Sequence, residues 1–140
     1  MTAAGRPLPV PDSASAPYWA AAAEGVLQLP RCGQCRTFSL PPEAVCAACG
    51  TTDPAFEYEP VSGRGVVRSW TVVRQSFLPG FDTDLPFVLV DVELTEQREL
   101  RMIGRLLDGP DAELRVGADV CVAFERPTAD VAVPAFQLAR

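Results

Sequence analysis

The chain has 140 residues, with 18 acidic and 12 basic side chains, a formal charge of −6, five cysteines and no histidine, and all of its basic residues are arginine. That length allows one domain, or one small domain with an appendage. Without His or Lys there is no Ser-His-Asp or Cys-His machinery, no Schiff-base or P-loop lysine and no His-ligated metal, so the chain is an unpromising catalyst on its own.

The acidic balance argues against nucleic acid, whose binding rests on cationic contacts to phosphate, and equally against an anionic membrane surface. Scarce Lys, Asn and Ile beside abundant Ala, Arg, Gly and Pro look like high-GC codon usage, which weakens any chemical reading of the missing lysines. The only apolar run near the start, Ala20 to Ala23, is too short for a signal peptide or a span. The expectation is a cytoplasmic protein with reduced thiols.

Residues 1–12, with Pro7, Pro9 and Pro11 alternating, read as a flexible or extended lead. Residues 13–29 carry a short N-terminal helix. Ser15 or Ala16 stands at its N-cap, Pro17 in its first turn and Gly25 at its stop, with Tyr18, Trp19, Ala22 and Val26 as an apolar stripe. Tyr18 and Trp19 either pack on the chain's own core or anchor it in a partner's groove. Residues 30–60 hold four clustered cysteines and little else that could build a core.

From residue 61 to 140 the texture is of strands. Phe87 to Leu94 alternates most clearly, placing Val88, Val90, Val92 and Leu94 on one face and Asp91 and Glu93 on the other. Gly65 to Arg74, Glu99 to Leu107, Asp119 to Glu125 and Val131 to Leu138 supply four more strands, with Gly104 expected at a bulge or bend. The fold class is therefore mostly β: an N-terminal helix, a small metal ribbon, then a five-stranded OB-type barrel. A β-sandwich fits the same pattern.

Cys32-x-x-Cys35 and Cys46-x-x-Cys49, separated by ten residues, form the strongest motif. Each pair lets two thiolates of one tight turn face a common point, and two such knuckles complete a tetrahedral sulfur shell with no open position. Such a site suits structural zinc. Iron fits the same shell and would make the chain a rubredoxin-like electron carrier. A disulfide pairing fits a reducing compartment poorly. Zinc in a four-thiolate shell adds −2 and takes the formal charge from −6 to −8. Cys121 stands apart on a strand, either as a nucleophile or acyl acceptor or as a small strand residue, with no His to activate it.

Tyr18-Trp19, Gly25, Leu27, Arg31-Cys32, Cys35, Phe38, Pro41-Pro42, Cys46, Cys49-Gly50, Val61-Ser62-Gly63-Arg64-Gly65-Val66-Val67 and Ser69-Trp70-Thr71-Val72-Val73 together resemble domain-of-unknown-function family 35, the acyl-CoA-associated proteins with a rubredoxin-like zinc ribbon and an OB-fold. The resemblance runs from about Tyr18 to the C-terminus. It implies an accessory subunit, seldom an enzyme alone, bound to a thiolase-fold protein as a heteromer with two copies of each chain, or to a hot-dog-fold hydratase. The favoured setting it implies is a thiolase-like aldolase that cleaves a CoA thioester by retro-aldol chemistry in steroid side-chain degradation, with acyltransfer as another. A free-standing acyl-CoA-binding module is the rival from a different class.

With a partner in view, the loop from Ser76 to Pro86 reads as a hydrophobic lip, and Tyr18, Trp19, Phe77, Leu78 and Phe81 are the expected partner-facing residues. CoA phosphates call for arginine, and Arg64 and Arg68 flank the first barrel strand while Arg31 and Arg36 flank the first knuckle. Asp82 and Asp84 could act as a general base if that loop entered a partner's site, although such residues more often only keep a loop wet.

Overall fold

A computed structural model describes residues 5–139. Residues 1–4 of the expected lead lie outside the described residues; from residue 5 there is no regular secondary structure until a turn in which the Ser15 N–H donates to Asp12 Oδ1 (2.7 Å) and the Asp12 N–H donates to Ser15 Oγ (3.1 Å). This reciprocal pairing opens helix α1, Ala16–Ala23, with Ser15 at the N-cap and Pro17 in the first turn. Gly25 follows at φ 78°, the left-handed conformation that ends helices. The Arg126 guanidinium reaches the last turn and donates to Ala23 O (2.9 Å), placing a cation at the negative end of the helix. Because the helix stops at Ala23, Val26 falls outside the expected stripe and is exposed.

Strand β1, Gln28–Arg31, pairs antiparallel with β2, Glu57–Pro60, to form the stem of the ribbon. The barrel follows as β3 (Arg64–Val73), β4 (Phe87–Leu94), β5 (Arg101–Arg105), β6 (Asp119–Glu125) and β7 (Val133–Leu138). Its strand order is β5-β4-β3-β6-β7. The two ends meet where Leu106 bridges Phe136 in parallel and the Leu107 N–H donates to Phe136 O (2.8 Å). That near-closure selects the OB barrel over the sandwich.

Strand β4 buries Val88, Val90, Val92 and Leu94 and turns Asp91 and Glu93 outward, as its alternation predicts. Gly104 is a different case. It pairs with Val90 in unbroken register, and a Cβ there would lie 2.8 Å from the Phe136 ring. It is small because an aromatic crosses it. The irregularity sits in β3, between Val67 and Ser69.

The ribbon is not separate from this core. Leu27, Leu29 and Phe38 join Val67, Val92, Met102 and Phe136 in one buried cluster, so residues 26–60 contribute more apolar packing than their composition suggests. Gln97, on the β4–β5 turn, clamps the junction. Its amide accepts from the Phe38 N–H (2.8 Å) and donates to Phe38 O (3.0 Å). Glu96 accepts from the Ser62 N–H (2.7 Å) beside it. Gln97→Ala leaves both Phe38 backbone groups unpaired in a partly buried place and is expected to cost about 1–3 kcal/mol, read as a lower denaturant midpoint. An unchanged midpoint would mean that water replaces the amide without loss.

Among the described residues no helix is long and apolar enough to cross a membrane.

Candidate metal centre and partner-facing surface

The two knuckles are built alike. In the first, the Cys32 N–H donates to Thr37 O and the Arg36 N–H to Cys32 O (both 2.9 Å). In the second, the Cys46 N–H donates to Thr51 O (3.1 Å) and the Gly50 N–H to Cys46 O (2.8 Å). Gly50 takes φ 77° to close its turn, and Arg36 takes φ 65° at the equivalent place, where an L-residue is strained. Arg36 is held there by Glu57 and Glu59 of β2, and Glu59 also pairs with Arg31 (3.3 Å), whose guanidinium lies 4.6 Å from the centre of the Phe38 ring. Arg31 and Arg36 thus brace the knuckle.

The four sulfurs of Cys32, Cys35, Cys46 and Cys49 lie within 4.8 Å of one another, with Cys35–Cys46 at 3.7 Å and Cys32–Cys49 at 4.0 Å. A tetrahedral shell with metal–sulfur bonds of about 2.3 Å requires sulfur separations of about 3.8 Å, which the Cys35–Cys46 and Cys32–Cys49 pairs already approach, so only the wider separations need to close to hold such an ion. Hydrogen bonds from the Thr37 hydroxyl and amide hold the Cys35 thiol down at about 6. The Thr51 backbone favours the Cys49 thiolate, but burial and the other three sulfurs outweigh it and push that thiol up to about 11. Four thiolates converging on one point call for a cation. With all four positions taken by protein, the ion would hold the ribbon together and leave no site for substrate.

The two arginines expected at a phosphate differ. Arg68 is paired with Glu93 (2.8 Å). Arg64 is exposed, has no ion pair among the described residues, and borders an open depression with Cys121 and Gln137. Cys121 is half-buried, with the Gln137 amide 3.7 Å from its sulfur.

The aromatic residues also separate. Tyr18 packs against the chain's own core and meets the edge of Trp19 at a centroid distance of 4.9 Å. Trp19 is half-buried, lining a groove between the lead's Pro9 and Pro11 and residues Val131 and Ala132. Phe81 turns inward against Phe87, with centroids 6.1 Å apart. Phe77 and Leu78, by contrast, project from the β3–β4 loop with exposures of 90 % and 57 %. Trp70 of β3 is also exposed at 40 %, although the register pairs it with the buried Val90. Asp84 pairs with Arg105 (3.0 Å), whereas Asp82 is exposed.

Burial, with a smaller contribution from Tyr58, pushes the Tyr18 phenol up to about 12 from its usual value near 10. The folded state thus holds this proton more tightly than the unfolded chain does. The stability linked to it is fully present below pH 10 and is lost as the pH rises from 10 towards 12. Tyr18→Phe should flatten alkaline unfolding over that window, whereas an identical alkaline limb in the variant would place the titration elsewhere.

A two-knuckle, four-thiol ribbon docked on an OB barrel defines the class of this protein. Two family models match: the rubredoxin-like zinc ribbon domain of ChsH2 over residues 19–55, and the C-terminal OB-fold domain of ChsH2 over residues 58–125. The chain belongs to this ribbon–OB family, domain-of-unknown-function family 35. It is similar to a chain of a solved assembly described as the Ltp2–ChsH2(DUF35) aldolase, with a TM-score of 0.79 and 27 % identity over 94 % of this chain and 99 % of that one. A DUF35 protein of unknown function from Sulfolobus solfataricus shares the fold, with a TM-score of 0.58 and 13 % identity over 91 % and 86 % of the two chains. A protein of Thermomonospora curvata described as a probable enoyl-CoA hydratase alpha subunit is 28 % identical over 94 % of this chain, which spans 40 % of that protein's length.

Proposed function

We propose that this chain is a non-catalytic subunit of a thiolase-fold enzyme acting on acyl-CoA thioesters, stabilising that partner and shaping its substrate and CoA channel. The observation that carries the reading is its similarity, over 99 % of the neighbour's length, to the ChsH2(DUF35) chain of an aldolase. Two further features support it. Of the two carboxylates considered for acid–base work, Asp84 is committed to Arg105, and Asp82 lies exposed on the loop in a chain that has no histidine. The loop tip at Phe77 and Leu78 is apolar and uncovered, as a docking element requires. Zinc is the ion we assign to Cys32, Cys35, Cys46 and Cys49, with a structural role; iron there would instead favour a rubredoxin-like electron carrier.

The favoured reaction of the complex is retro-aldol carbon–carbon cleavage of a CoA thioester in steroid side-chain degradation. Arg64 is then the better placed of the two barrel arginines to meet a CoA phosphate. A hot-dog-fold hydratase is the second reading for the partner, supported by the Thermomonospora relative. The test is reconstitution with the products of the neighbouring genes, among which this reading expects a thiolase-fold protein. Retro-aldol turnover should appear only when both chains are present. Full activity of the partner alone, with this chain a stable monomer that binds CoA by itself, would instead make it a free-standing binding module.

A further inference from the structure

The lead crosses the outside of the barrel, yet little of it packs there. Leu8 and Val10 point outward with exposures of 42 % and 88 %, and apolar grooves of about 300 Å³ remain on either side of Pro9 and Trp19. Arg6 is the exception. It pairs with Glu125 of β6 (3.5 Å) and lies over the Phe81 ring (5.4 Å). Glu125 also faces Arg105 of β5 (3.7 Å), which pairs with Asp84 (3.0 Å) and lies over Phe87 (5.0 Å). Cation and anion thus alternate from Arg6 through Glu125 and Arg105 to Asp84, beside the two mutually tilted rings of Phe81 and Phe87. The four charged side chains are only 18–35 % exposed. Phe81 and Asp84 lie on the C-terminal arm of the loop whose tip is Phe77 and Leu78.

We infer that Arg6 is a positioning residue: it fastens the lead to the C-terminal arm of the β3–β4 loop and so sets where Phe77 and Leu78 are presented to the partner. The inference rests on the docking role proposed for that tip. Partly buried ion pairs and cation–ring contacts hold a geometry that a solvated loop otherwise loses. The other end of the lead is fixed separately, by the Asp12–Ser15 pairing and by the Tyr58 hydroxyl donating to Ala14 O (2.7 Å). Loss of Arg6 therefore frees the loop without unseating the helix.

Amide hydrogen exchange of the full chain and its affinity for the thiolase-like partner test this together. Arg6→Ala should speed exchange across residues 76–85 roughly five- to tenfold and weaken the partner by a similar factor, the scale of one such contact with its ion pair. Metal content and protection in β4 and β6 should stay as they are, and Arg6→Lys should restore part of both losses. Phe77→Ser separates the two layers of the argument. If it weakens the partner while Arg6→Ala changes neither exchange nor affinity, the positioning role is overturned and the docking reading stands. If neither variant changes the affinity, the docking reading is wrong and the inference falls with it.

Discussion

Cys46→Ser is expected to release the metal and unfold the ribbon, the largest effect of any single substitution in this chain. Cys46 and Cys32 are the buried pair of the four, at 2 % and 0 % exposure, so a lost sulfur there cannot be replaced by solvent without opening the knuckle. The stem it supports has four residues in each strand, and residues 39–56, which carry the second knuckle, bury only Cys46 and Pro54. Structural zinc in small domains contributes about 10–16 kcal/mol of apparent binding free energy, which is folding free energy. Removing one of four ligands forfeits much of it. Metal content by mass spectrometry should fall from one ion per chain to well below it, with aggregation of the purified protein. Chelation of the native protein should do the same, and more readily at acid pH, because protons compete for the thiolates. A folded, metal-free Cys46→Ser protein of unchanged thermal midpoint would show that the ribbon does not depend on its ion.

The second large effect lies where the barrel closes. Phe136 is fully buried and packs across Gly104, and its carbonyl accepts the Leu107 N–H that joins the two ends of the sheet. Phe136→Ala should cost about 3–5 kcal/mol through lost burial and the cavity left behind. Gly104→Ala places a methyl 2.8 Å from that ring and should cost about 1–3 kcal/mol by overpacking. The double variant should be less destabilised than the sum, because the new methyl fills part of the hole. Denaturant titration of the four proteins gives the coupling, and strict additivity would mean that ring and glycine are not in the contact described.

How far such features can be read in advance depends on their physical origin. The convergence of the four cysteine sulfurs was legible because coordination demands sulfur at fixed spacing, and the spacing survives in the one-dimensional string. Strand β4 was legible because its burial alternates with the pleat. Gly104 illustrates the limit: a glycine in a strand can mark a bulge or a close neighbour, and only the partner 32 residues away, Phe136, decides between them. The same holds for Gln97, whose side chain copies a backbone pairing with Phe38 across 59 residues, and for Arg6, whose partners lie in β6 and the β3–β4 loop. Long-range polar contacts leave no periodic trace. Gly25 was legible as the helix stop, and Val26, one residue beyond it, cannot share the face of a helix that has already ended and is exposed instead.

The partner-subunit role is open to one direct measurement. Co-expressed with the thiolase-fold protein that the account expects a neighbouring gene to encode, and examined by native mass spectrometry, this chain should appear in a heteromer with two copies of each chain and one zinc ion per copy of this one. Recovery of the two proteins as separate species, each stable and the thiolase-like protein fully active without this chain, would contradict the account.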